Sequence, residues 1–89
     1  MDAGAADRSL TVLADPTRVR ILRLIRDSGD GRVLVGRTAE ALGVTQPTVS
    51  HHTRVLAEAG LITGDKRGRW VYWSVDPTRA DFVRNVLGS

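Results

Sequence analysis

The side chains whose types and spacing could do chemistry are concentrated in residues 45–56, where hydroxyls, an amide, imidazoles and a guanidinium alternate with apolar groups. At about 100° per residue on a helix, Val49, Thr53 and Leu56 share one face, which we expect to be buried. The outer face and the amino end then carry five polar side chains: Gln46, Thr48, Ser50, His51 and Arg54. Glutamine can form paired hydrogen bonds with adenine, arginine with guanine, and hydroxyls bond bases or phosphates. Such a helix is suited to the major groove of DNA, and a solvated amphipathic helix is the alternative.

A basic turn follows this segment, with Lys66, Arg67 and Arg69 around Gly68. Glycine supports a tight turn and the flanking residues have strand character, so a hairpin with a basic tip is predicted. Beside a DNA-reading helix, such a tip would contact the phosphate backbone or the minor groove. An ordinary solvated hairpin is the alternative.

Three of the four aromatic residues, Trp70, Tyr72 and Trp73, come directly after the turn. Exposed aromatic rings could stack on the bases of a single strand. Strand alternation places Trp70 and Tyr72 on one face and Trp73 on the other with valines, so packing against the helices is the preferred interpretation.

The adjacent histidines, His51 and His52, would point about 100° apart on a helix and would chelate one ion poorly together. We expect His51 to contact DNA and His52 to pack as a partly buried, hydrogen-bonded side chain. The chain has no cysteine, which excludes disulfides, thiolate metal sites and cysteine-based redox sensing. No metal site and no cofactor are predicted. The sequence offers no nucleophile–base pair, phosphate-cradling glycine loop or carboxylate dyad, so an enzyme is not expected.

Local signals predict the elements that position these side chains. Asp15-Pro16 and Asp76-Pro77 each combine an N-cap residue with proline at the first helical position, and Thr45 is the expected N-cap of the DNA-reading helix. Residues 32–35 are either a short strand or an extended entry into the next helix. The predicted elements are helices over residues 5–13, 16–27, 36–42 and 46–59, hairpin arms over 61–64 and 69–75, and a last helix from residue 77.

Helical spacing also predicts burial. The expected apolar stripes are Ile21, Leu22, Leu24 and Ile25 on the second helix and Ala80, Val83, Val86 and Leu87 on the last. Val19 falls outside its stripe, which suggests a contact on a second side, such as with a partner subunit. Arg18 and Arg20 are equally suited to phosphate contacts and to solvent.

The whole chain of 89 residues is predicted to be one domain, with residues 1–9 flexible. A domain of this size buries only roughly 60–65% of its unfolded surface, so dimerisation would supply missing core. The net charge is +3, and twelve of the thirteen basic residues are arginine, which makes paired contacts to phosphate and guanine. No signal peptide and no apolar run of about 20 residues is found, so no membrane partner is expected and the predicted location is cytoplasmic.

Four segments, Ala-Asp-Pro-Thr-Arg-Val-Arg-Ile-Leu (14–22), Gln-Pro-Thr-Val-Ser-His-His (46–52), Val-Leu-Ala-Glu-Ala-Gly-Leu-Ile (55–62) and Gly-Arg-Trp-Val-Tyr (68–72), resemble the ArsR/SmtB family of bacterial repressors. The resemblance covers residues 10–87. It implies a winged-helix homodimer whose first and last helices form the dimer interface and which binds an imperfect inverted repeat. Many members of the family release DNA when a metal or metalloid binds.

The family's sensor residues are not found at the matching positions. Where arsenic, cadmium and lead sensors have Cys-Val-Cys, this chain has Leu34-Val35-Gly36. Other members use histidines and carboxylates on the last helix, which here offers only Asp76 and Asp81, a poor transition-metal site without imidazole. Arg37-Thr38 also replaces the family's usual acidic-leucine pair. No inducer is therefore identified.

The sequence as a whole predicts a homodimeric winged helix-turn-helix repressor of order ααααββα, mainly α with a small β-hairpin, that binds near-palindromic double-stranded DNA. Three alternatives stay open. The first is a metal-responsive repressor with a non-standard sensor site, and the second is the DNA-binding part of a longer protein. The third is a winged-helix module used only for protein contacts. The second alternative is suggested by the chain ending at Gly88-Ser89, directly after the last helix.

Overall fold

The computed structural model describes the backbone of residues 3–88 and the side chains of residues 8–88. Its elements are α1 (Ala3–Val12), α2 (Pro16–Asp27), β1 (Arg32–Leu34), α3 (Val35–Leu42), α4 (Gln46–Glu58), β2 (Ile62–Arg67), β3 (Trp70–Val75), a 3-10 turn (Pro77–Arg79) and α5 (Ala80–Leu87). None of the helices in this described part is long and apolar enough to cross a membrane. The flexibility expected of residues 1–9 stays a prediction. Residues 1 and 2 lie outside the described part, and residues 3–9 belong to α1.

The helix starts follow from side-chain caps, as predicted. The Asp15 carboxylate accepts a hydrogen bond from the amide of Thr17 at 2.8 Å, and α2 begins with Pro16. The Thr45 hydroxyl accepts an amide hydrogen bond from the first turn of α4. The Asp76 carboxylate accepts the amide of Thr78 at 2.9 Å and so caps the 3-10 turn that leads into α5.

The three strands form one antiparallel sheet in the order β1-β3-β2, with Val33 and Gly64 on either side of Trp73. The open alternative for residues 32–35 is thereby decided: residues 32–34 are a strand, and Val35 starts α3. The order is ααβααββα, one strand more than the predicted hairpin. β2 also extends past Gly64 to Arg67.

The core lies where α2 packs against α4, α5 and the sheet. Its fully buried side chains include Ile21, Leu22, Ile25, Val49, Leu56 and Leu61, with Ile62, Val83 and Leu87 nearly so. Val19, which lies outside the predicted stripe, is half-buried and packs against this cluster. The suggested contact with a partner subunit stays a prediction. Val86 is 40% exposed, which corrects the prediction that it shares the buried side of α5.

Candidate DNA interface

The two faces of α4 differ as the helical spacing predicted. Val49 and Leu56 are 0% exposed and Thr53 is 2% exposed. The Thr53 hydroxyl donates a hydrogen bond to the carbonyl of Ser50 at 3.1 Å, which satisfies its buried polar atom. Among the five predicted DNA-contacting side chains, Gln46, His51 and Arg54 are exposed, and Thr48 and Ser50 are half-buried. All five thus lie outside the core.

The amino end of α4 is held by a pair of threonines. The amide of Thr48 donates to the Thr45 hydroxyl at 3.3 Å, and the two threonine hydroxyls are 2.8 Å apart. A hydroxyl has one donor and two acceptor positions, so Thr48 can share the cap and still bond a further group. The helix end proposed to face DNA is therefore ordered by its own side chains.

Gln46 lies beside the first turn of α3. A β-carbon placed on Gly36 would lie 3.7 Å from its Nε2 atom, in ordinary van der Waals contact. Gly43 closes α3 in the left-handed conformation, with φ of 69°, so that the chain turns directly into α4. The glycine turn thus positions the second helix against the first.

A cleft of about 310 Å³ opens between α3, α4 and the hairpin formed by β2 and β3. Its lining includes Gln46 and Ser50 from α4 and Arg69, Trp70 and Val71 from the hairpin. The polar side chains of α4 and the basic hairpin therefore border one concave surface.

The basic tip of the hairpin is exposed at Lys66, Arg67 and Arg69. Gly68 has φ of 62° and is the first of the two loop residues, where a type II′ hairpin turn requires glycine. The Arg67 Nε atom pairs with Asp65 Oδ2 at 3.0 Å, which partly neutralises it. Within the described residues no ion pair involves Lys66 or Arg69, so these two present their charge outward.

The aromatic residues of β3 divide differently from the prediction. Trp73 packs against the core together with Val75, as expected. Trp70 is 52% exposed, so its interpretation as a core residue is wrong. The Arg69 guanidinium lies 5.1 Å from its ring centroid, and that of Arg32 lies 4.4 Å from the ring of the half-buried Tyr72. This face of β3 is covered by arginines instead of by helices.

The two histidine rings are 5.2 Å apart and meet edge to face. His52 is half-buried as predicted, but within the described residues its buried Nδ1 atom has no hydrogen-bond partner, which corrects the expected bond. Burial lowers the pKa of His52, while Asp15 raises it and Arg18 lowers it. No group of three histidine, cysteine, aspartate or glutamate side chains in the described part of the chain could hold a metal ion.

The two arginines at the start of α2 have different surroundings. The Arg18 side chain is only 17% exposed and lies 3.8 Å from the Asp15 carboxylate, so it is not simply solvated. Arg20 is exposed, and its Nη2 atom donates to the carbonyl of Leu42 at 3.5 Å. Of the two, Arg20 is the one still able to approach a phosphate.

The positions of the family's metal sensors do not fit a metal here. Leu34, Val35 and Gly36 offer no side-chain ligand. Asp76 accepts the Thr63 hydroxyl at 3.0 Å in addition to its capping bonds, and these hydrogen bonds lower its pKa. Asp81 pairs with Arg84 at 3.0 Å. Both carboxylates are already used within the fold.

Two helices joined by a left-handed glycine turn, the second with a polar outer face, and a basic antiparallel hairpin beside it define a winged helix-turn-helix DNA-binding domain. Over residues 13–65 the chain matches a family described as a helix-turn-helix domain. The transcriptional repressor SdpR of Bacillus subtilis is 33% identical over 74% of this chain and 70% of its own length.

Two further proteins extend the comparison. The arsenic resistance transcriptional regulator ArsR1 of Pseudomonas putida is 36% identical over 84% of this chain, which spans 57% of that protein. The Mb0332 domain of Mycobacterium bovis, a homodimeric winged helix-turn-helix DNA-binding domain described as a possible ArsR-family regulator, superposes with a TM-score of 0.82 at 25% identity, covering 93% of this chain and 75% of that one. The chain belongs to the ArsR/SmtB family of winged helix-turn-helix transcriptional repressors.

Proposed function

We propose that this chain represses transcription as a homodimer that binds an inverted-repeat operator, with the amino-terminal half of α4 in the major groove. The observation that supports this best is the division of α4 into a buried face and an ordered polar face beside a basic hairpin. The family and fold are those of DNA-binding regulators, not of enzymes. Its site of action is the cytoplasm, and no inducer is assigned.

Each part of this surface has its own role. Gln46 and Ser50 contact base edges from the first two turns of α4, and Arg54 does so from one turn further along the same outer face. Thr48 and His51 contact bases or the adjoining phosphates. Phosphate and minor-groove contacts come from the basic hairpin tip: Lys66, Arg67 and Arg69.

The dimer would form through α1 and α5. Leu10 on α1 is 60% exposed and Val86 on α5 is 40% exposed, so each helix presents a large apolar side chain that a second protomer could cover. A hydrogen bond connects α1 to the 3-10 turn before α5, since the Arg79 Nη2 atom donates to the Ser9 hydroxyl at 3.0 Å. The similar Mb0332 domain is homodimeric. A twofold dimer would present its two α4 helices about 34 Å apart, one DNA turn.

Selection of bound duplexes from a random library, followed by sedimentation of the selected complex, tests this function. We expect an enriched inverted repeat that carries two protomers. Leu10→Glu and Val86→Glu should shift the free protein towards monomer and remove the preference for paired half-sites. Ala41→Glu, at an exposed position on α3, is the matched control and should do neither. A monomer in free solution, or no enrichment of any duplex at low ionic strength, would overturn the proposal.

A further inference from the structure

Trp70 occupies a position that neither the core nor the proposed dimer explains. It is one of three large apolar side chains with high exposure among the described residues, and the other two are on α1 and α5. Tryptophan gives more contact energy than other residues when it is buried at an interface. Its surroundings therefore indicate what could cover it.

The cleft beside Trp70 combines an apolar wall with polar edges. Val35 and Val71 contribute apolar surface, Gln46 and Ser50 contribute hydrogen-bonding groups, and Arg69 contributes a cation that lies over the indole ring. The cleft is thus suited to an occupant with an apolar face next to a negative charge. A deoxyribose and its phosphate have this combination.

The charge around the cleft favours the same occupant. Arg69 lines the cleft, Arg54 lies one turn beyond Ser50 on α4, and Lys66 pairs in register with Val71; all three basic side chains are exposed. The one acidic side chain of the β2 tip, Asp65, is already paired with Arg67. The cleft is also continuous with the outer face of α4, because Gln46 and Ser50 belong to both. A strand leaving the groove that α4 enters would pass directly over it.

We propose that this cleft holds the sugar–phosphate backbone of one operator strand, with Trp70 packed against a deoxyribose and Arg69 bound to the neighbouring phosphate. This inference rests on the proposed DNA-binding function and adds a contact to it. Trp70 on the hairpin and the outer face of α4 would then contact the same DNA strand. This contact would add affinity without reading any base.

Fluorescence separates this contact from an indirect effect, because the chain has only two tryptophans. In Trp73→Phe, Trp70 is the sole tryptophan, and its quenching by neutral acrylamide should be strong in free protein and several-fold weaker with a selected duplex bound. In Trp70→Phe, the remaining half-buried Trp73 should show little change on DNA binding. Unchanged quenching of Trp70 in a complex that forms normally would overturn the inference while leaving the proposed function intact.

Affinity measurements on the otherwise unchanged protein give a second test, which does not depend on Trp73→Phe folding. Trp70→Ala should weaken binding about tenfold, for selected and random duplexes alike, since sugar contacts carry no sequence information. Trp70→Phe should lose much less, because a phenyl ring can still pack on the sugar and support Arg69. Wild-type affinity in Trp70→Ala, or a loss confined to certain base sequences, would overturn the assignment. Failure of the wild-type protein to bind any duplex would instead overturn the proposed function.

Discussion

The α4 helix and the β2–β3 hairpin are both proposed to contact DNA, yet the fold holds them in different ways. Three inner-face side chains fix α4 to the core, and a threonine cap orders its first turn. Every residue from Thr63 to Trp70 is exposed, and this part of the hairpin is held by pairing between its own strands. Paired hydrogen bonds to a base edge require fixed geometry, whereas the attraction of a cation to phosphates is electrostatic and independent of sequence. The difference in support therefore matches the difference in proposed role.

The largest effect is expected from weakening the support of α4. Leu56→Ala removes a fully buried side chain and should lower the free energy of unfolding by about 2–5 kcal/mol. His51→Ala, at an exposed position on the same helix, should change it by less than about 0.5 kcal/mol. Urea unfolding measures both. Similar values for the two variants would show that α4 is not held through its inner face.

The hairpin has one packing constraint of its own, at Gly64. A β-carbon there would lie 3.0 Å from Cζ3 of Trp73 and 3.1 Å from Cγ1 of Val71, and both neighbours are half-buried. Gly64→Ala should therefore destabilise the fold by about 1–3 kcal/mol through overpacking.

Gly29→Ala is the matched control for that change. Nothing lies within 4 Å of a β-carbon at Gly29, and its φ is not positive. We expect this variant to be neutral or up to about 1 kcal/mol more stable, because alanine restricts the unfolded chain. Equal unfolding midpoints for the two alanine variants would contradict the packing seen around Trp73.

A third comparison concerns DNA binding by the two elements. Arg54→Ala on α4 should cost about 1–3 kcal/mol and alter base preference, whereas Lys66→Ala on the hairpin should weaken all sequences alike and reduce the salt slope by about 1. Titrations of selected and random duplexes at several salt concentrations measure both. If Arg54→Ala weakens the two duplexes equally, Arg54 is a phosphate contact and α4 reads fewer bases than proposed.

Several of these features were predictable because their causes are local. A capping side chain and a proline act within one helical turn, so Asp15 and Thr45 each marked the start of an α-helix correctly. Asp76 caps a 3-10 turn instead, and α5 begins only at Ala80, which corrects the predicted start at residue 77. The faces of α4 follow from the angle between successive residues, and Val49 and Leu56 are buried as that angle required.

The remaining features depend on contacts between distant segments. β1 has only three residues, too few to show a period, and it is a strand because Arg32, Val33 and Leu34 pair with β3. Alternation showed that the two faces of β3 differ, but it could not show that the face of Trp70 lacks a covering helix. The signal that could have indicated this was its position two residues after Gly68, at the exposed tip of the hairpin.

The smallest expected effect concerns the contact between α4 and α2 at His52. Burial lowers the pKa of this imidazole below its usual 6.5, with Arg18 and His51 acting in the same direction and Asp15 opposing them. Between the two pKa values the unfolded chain binds more protons than the folded one, so stability should rise with pH through this range and fall as the pH drops below about 6.5. The slope should be well under the roughly 1.4 kcal/mol per pH unit of one full proton.

Variants of His51 and His52 show whether the titration of His52 causes this dependence of stability on pH. Urea unfolding across that pH range should show the slope in wild type and in His51→Gln, whose altered side chain is exposed, but not in His52→Gln. The titration of Asp15 does not affect stability in this pH range. Burial raises the pKa of Asp15, but hydrogen bonds from the amides of Thr17 and Arg18 outweigh this and lower it, so its contribution to stability is lost only below about pH 3.8. The described hairpin contains no histidine, so the contribution of Lys66 to the salt slope of DNA binding should not change over the same range. A pH-dependent salt slope that disappears in His52→Gln would mean that this side chain couples α4 to the hairpin, and that the two elements are not supported independently.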